Sequence, residues 1–80
     1  MRLDAGLQCR PATAGALLEP DRWTELAPGE AVWVERDGSG FDAGHVDDVS
    51  QHQEMLWVDF SGGGRRLLCG RDPVRVWTRD

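Results

Sequence analysis

Eighty residues, 40% hydrophobic and 29% charged, suffice for one small folded unit and leave no room for two, because chains below roughly 70 to 80 residues struggle to bury a sufficient core. Fourteen acidic residues against nine basic ones give a net charge of -5, which opposes non-specific attraction to a phosphate backbone and turns the expectation towards basic partners. No stretch approaches the roughly eighteen apolar residues of a membrane span. No signal-peptide pattern opens the chain, so no membrane association and an intracellular location are expected.

Residues 1–27 are rich in Ala, Gly and Pro, with apolar positions at neither period 2 nor a sustained period of 3.6, and are expected to form a flexible arm. Asp21 after Pro20 is placed to cap one short turn within 21–26, with Trp23 and Leu26 as the large apolar groups that dock on the later part of the chain. Pro28 and Gly29 then break the chain, and the folded unit is expected over 28–78.

Beyond Gly29 the texture changes to short strand-like runs separated by turn residues. Ala31 to Glu35 is β-branched and aromatic and ends at an Asp37-Gly38-Ser39-Gly40 turn signal. Phe41 to Ser50 reads as a curved second strand, with Gly44 where a bend or bulge would lie. Met55 to Phe60 is the clearest strand, with Leu56, Val58 and Phe60 on one face and Met55, Trp57 and Asp59 on the other. The Ser61 to Gly64 run reads as a hairpin loop into a fourth strand, Arg65 to Cys69. Arg71-Asp72-Pro73 then turns into a fifth, Val74 to Trp77, with Val74 and Val76 facing inward. Five short strands in about 50 residues suit an all-β, five-stranded SH3-like barrel better than a sandwich, which needs more strands and more chain.

Little in the chain points to catalysis. Cys9 and Cys69 belong to no C-x-x-C pair and are expected as reduced thiols. His45 and His52 have no zinc-finger spacing to either, so neither a metal nor any other cofactor is expected. No nucleophile stands with a base and an orienting group, no phosphate-binding or hydrolase motif occurs, and a barrel this small has little concave volume. A non-catalytic binding module is the expected class.

The order of signals resembles a Tudor-type domain of the SH3-like barrel class, as in Polycomb-like chromatin proteins. The resemblance runs over about residues 28–77. It is carried by Gly29-Glu30-Ala31-Val32, Asp37-Gly38, Phe41, Gly44-His45-Val46, Val58-Asp59-Phe60, Ser61 to Gly64 and Arg71-Asp72-Pro73-Val74. It implies a chromatin or transcription-regulation role in which an aromatic cage takes a methylated lysine or arginine, such as a methylated lysine of a histone tail, by cation–π attraction. Position by position, Phe60 matches the aromatic of the third strand and Phe41 the aromatic after the first loop. Two further aromatic positions of the pattern fall on Glu35 or Arg36 and near Arg66, so two cage walls are missing. Nuclear location is implied if the resemblance holds, cytoplasmic if the gene is bacterial.

The candidate peptide-binding residues are therefore Phe41 and Phe60 as an aromatic floor, Asp42 and Asp59 as its carboxylate rim, and Trp33 and Trp57 as substitute walls. The alternative is a protein-assembly or regulatory adaptor whose exposed Trp residues dock on a partner without any cage. A nucleic-acid-binding SH3-like domain using Arg65 and Arg66 ranks third, since two Arg on a chain of this charge make a poor phosphate footprint.

Overall fold

A computed structural model describes residues 10–37 and 40–80. Its strands are β1 (Ala14–Leu18), β2 (Ala31–Arg36), β3 (Gly40–Val49), β4 (Met55–Phe60), β5 (Gly64–Cys69) and β6 (Val74–Arg79), with a 3-10 turn over Pro20–Glu25 between the first two. They form one antiparallel sheet in the order β1-β6-β2-β3-β4-β5. Among the described residues no ladder joins β1 to β5, so the sheet is open.

Strands β2 to β6 follow from alternation. Val32 and Val34, Leu56, Val58 and Phe60, Leu68 and Val76 are all buried and point to one side, as period-2 patterning requires. Short hairpins link β2 to β5 in succession, while β6, although it follows β5 after Gly70 to Pro73 alone, returns to pair with β2. Positive φ angles of 85° at Gly40 and 79° at Gly64 let the chain turn where a side chain would be strained.

Beyond the open sheet in place of the expected barrel, the sequence reading differs from the structure in three places. Residues 14–18, expected within a flexible arm, form a sixth strand beside β6, irregular between Ala14 and Leu17. Ala16 N–H donates to the Thr78 hydroxyl there, at 2.8 Å. AGALL carries no period-2 signal; what recruits it is the unpaired edge that β6 would otherwise present. Second, the short turn begins with Pro20 at its first position and Glu19 as its cap, without a side-chain capping bond, so Asp21 lies inside the first turn. Third, the irregularity in β3 lies between Val46 and Asp48, not at Gly44. Gly44 is needed for close approach: a Cβ there would lie 2.6 Å from a Val58 methyl and 3.0 Å from the Asp59 carbonyl oxygen.

Trp23 is the largest fully buried side chain. The 3-10 turn contacts β1 and β4, two strands that are not neighbours in the sheet. It lays the indole into the cluster of Leu18, Leu26 and the inward residues of the strands. The indole N–H, which would be costly to bury alone, donates to the Leu18 carbonyl at 3.2 Å. Exposed Arg22 and Glu25 pair through two hydrogen bonds at 2.9 and 3.0 Å. The Arg22 hydrogen bond holds the Glu25 carboxyl below its usual range.

Replacing Trp23 by Ala is expected to cost about 3–5 kcal/mol, enough to unfold much of a domain this small, and urea titration followed by circular dichroism measures it. Gly44→Val should cost about 1–3 kcal/mol through overpacking against Val58, whereas Gly62→Ala, with open space around it, should change the midpoint little.

Candidate functional site

The side chains that bear on function collect into three places, two on the outer face of the sheet and one at an end of its inner face. The first spans β6, β2 and β3. Trp33 on β2 stands opposite Trp77 on β6 and Ala43 on β3, and one row further along Glu35 stands between Arg75 and Phe41. Rings of Phe41 and Trp77 meet with centroids 6.4 Å apart and planes tilted by 53°. At their foot the Glu35 carboxylate, with 17% of its side chain exposed, accepts from the Trp77 indole at 3.3 Å and pairs with Arg75 at 3.5 Å. A pocket of about 260 Å³ adjoins them, lined by Glu35, Asp37, Asp72, Pro73, Val74 and Arg75. Asp37 and Asp72 thus share this pocket with Glu35, and the Asp72 carboxylate accepts from the Cys69 amide at 2.9 Å within its turn.

The second place is one end of the sheet. Phe60, 5% exposed, belongs to the core. The Arg36 guanidinium stands 5.0 Å from its ring centroid and 3.4 Å from the Asp42 carboxylate. Phe60 and Asp42 therefore come together, in a pocket of about 280 Å³ that Arg66 also lines, but a cation of the chain itself already lies over that ring.

At the third, on β4 and β5, Trp57 stands between Asp48 and Leu67. Arg65 lies over its ring at 3.9 Å and donates to Asp47, the residue that the β3 irregularity leaves without a cross-strand partner.

The six sequence-derived site residues are thus distributed over separate surfaces. Phe41 faces outward and Phe60 inward, so the two do not share a floor. Asp42 accompanies Phe60, whereas Asp59 stands opposite His45 and Arg65 in the outer rows. Trp33 and Trp57 lie in different rows, each half-buried. Neither is the open apolar surface expected of an exposed docking Trp, because Arg79 lies 5.5 Å from the Trp33 ring and Arg65 covers Trp57. Trp77 is covered likewise, by Arg10 at 4.9 Å. Among the described residues there are four arginine–aromatic stacks, where a chain of this length ordinarily has about one. Trp77 and Glu35 are the partners of Phe41 that sequence reasoning did not assign to its site; Glu35 reaches it across the β2–β3 hairpin, and Trp77 through the β6 to β2 pairing, a contact between distant parts of the chain.

Cys69 is a free, half-buried thiol, and Cys9 lies outside the described residues. Among the described residues no group of three His, Cys, Asp or Glu side chains could hold a metal ion, and no helix is long and apolar enough to cross a membrane. Comparison with known protein families, curated proteins and solved structures finds no match to this chain.

A double-mutant cycle on Trp57→Ala and Arg65→Ala should return a coupling of about 0.5–1 kcal/mol, the worth of an exposed cation–π pair. Additive losses in urea unfolding would mean that the stack contributes nothing.

Proposed function

We propose that this chain is a small non-catalytic binding module of SH3-like connectivity that takes a basic segment of a partner protein on the outer face of β6, β2 and β3. The order β6-β2-β3-β4-β5, a meander whose last strand returns to the first, is the strand order of an SH3-like barrel, with β1 as an added edge. The observation that carries the functional reading is the Phe41–Trp77 ring pair with the Glu35 carboxylate at its foot and Asp37 and Asp72 in the adjoining pocket. Aromatic faces attract a cation through their quadrupole, and flanking carboxylates add Coulomb attraction on a chain already at -5. A methylated lysine, the ligand implied by the Tudor resemblance, suits such a surface because its ammonium is weakly hydrated. An arginine side chain suits it for the reason that Arg10 lies over Trp77.

The site on this reading is Phe41, Trp77 and Glu35, in place of Phe41 with Phe60. Arg36 would have to leave before any ligand cation reached the Phe60 ring.

An NMR titration with histone-tail peptides bearing unmodified lysine, trimethylated lysine or arginine tests it. Shifts at the Trp77 indole N–H and the Phe41 ring are expected, lost in Glu35→Gln and strengthened severalfold in Arg10→Ala, which removes the internal competitor. Broadening at Trp33 or Trp57 with the Phe41 and Trp77 signals unmoved would favour the adaptor reading. Shifts at Arg65 and Arg66 with an oligonucleotide, vanishing with added salt, would favour nucleic acid.

A further inference from the structure

The two edges of the sheet are built differently. β1 is short and irregular, and its covering turn folds back over the core, which are ordinary protections of an edge strand. β5 runs six residues in unbroken register with β4. Its hydrogen-bond phase is fixed by the Gly70 N–H donating to the Glu54 carbonyl at 2.8 Å. With that pair bonded, Leu68, Arg66 and Gly64 also turn their backbone groups towards β4, while Cys69, Leu67 and Arg65 turn theirs outward, since bonded and non-bonded pairs alternate along an antiparallel ladder. The Cys69 amide is taken by Asp72. No backbone or side-chain partner among the described residues takes the N–H or C=O of Arg65 or Leu67.

The side chains along this edge add to the case. Leu67 is the exposed large hydrophobic residue of the described chain, 37% accessible, and stands beside Trp57 on the outer face. Arg66 and Arg71 form no ion pair among the described residues. Arg71 also lines a groove of about 750 Å³ with Met55 and Cys69, into which the edge runs.

We infer that β5 is a docking edge for an extended acidic segment of another protein, which adds as a seventh strand. Its backbone pairs with the outward groups of Arg65 and Leu67, an apolar side chain extends the Trp57–Leu67 row, and carboxylates answer Arg66 and Arg71. A second copy of this chain fits worse. A self-pair centred on β5 sets Arg66 opposite or diagonal to its own counterpart, and like charges facing across strands destabilise. This edge lies at the far end of the sheet from the Phe41–Trp77 face, and the inference does not depend on that site.

The test uses a capped octapeptide of alternating glutamate and valine, its lysine-for-glutamate counterpart, and amide exchange read by NMR on the whole chain. Binding of the glutamate peptide should protect the Arg65 and Leu67 amides and leave the already bonded Leu68 amide unchanged. Arg66→Glu should weaken binding about fivefold, the worth of an exposed ion pair. Leu67→Pro removes an outward N–H, which an edge strand tolerates, together with the side chain of the Trp57–Leu67 row, so it should abolish binding while leaving the Val58 signals in place. Should Leu67→Pro fail to fold, Arg66→Glu and the exchange pattern decide. No protection at millimolar peptide, equal binding of the lysine peptide, or protection that rises with protein concentration alone would each overturn the inference, the last by showing self-pairing.

Discussion

One indole holds this structure together. A six-stranded sheet that does not close on itself leaves the inward faces of its outer strands uncovered, and among the described residues there is no second layer of helix or sheet to cover them. The 3-10 turn answers this by laying Trp23 across the opening, with its N–H returned to the carbonyl of Leu18, the last residue of β1. A buried indole removes about 150–250 Å² from water, worth about 4–6 kcal/mol at the usual coefficient. That is comparable with the whole net stability of a domain this size. The short segment before β2 thus completes the core, and the strands it covers keep the geometry that positions everything on the outer face.

On that outer face the same economy takes another form. With the inward side filled by Val, Leu and Phe60, the remaining aromatics must face out, and each of Trp33, Trp57 and Trp77 lies under an arginine. Stacking covers apolar area while leaving the guanidinium wet, so the exposed surface keeps few bare hydrophobic patches. Two features go beyond this arrangement. One is the Phe41–Trp77 pair, whose edge meets a mostly shielded carboxylate and an acidic pocket. The other is Leu67, uncovered on an edge whose backbone groups are also uncovered.

The five strands from β2 to β6 are legible because hairpin-linked strands announce themselves locally. Val32 and Val34, Leu56 and Val58, and Val76 alternate with polar or aromatic neighbours, and glycines mark the turns. β1 is not legible, since its five residues carry no alternation and its pairing depends on an edge more than 50 positions away in the chain. Sequence places the β3 irregularity at Gly44 because glycine signals both bends and close approach; packing against Val58 decides for the second. The split of Phe41 from Phe60 is readable in principle. Gly44 faces the core, so counting back by pairs sends Phe41 outward. Glu35 as its companion is readable from the β2–β3 hairpin, in which it pairs with Phe41; Trp77 is not, because no local pattern reports which strand the last one returns to.

Hydrogen exchange of the Trp23 indole proton tests the closure of the core most directly. If Trp23 completes it, that proton exchanges only through global unfolding, with the same protection free energy as the Val58 amide in the middle of the sheet. Exchange orders of magnitude faster than Val58, under conditions where the strands stay protected, would mean that the turn lifts away while the sheet survives, and that the core is held by something other than this residue.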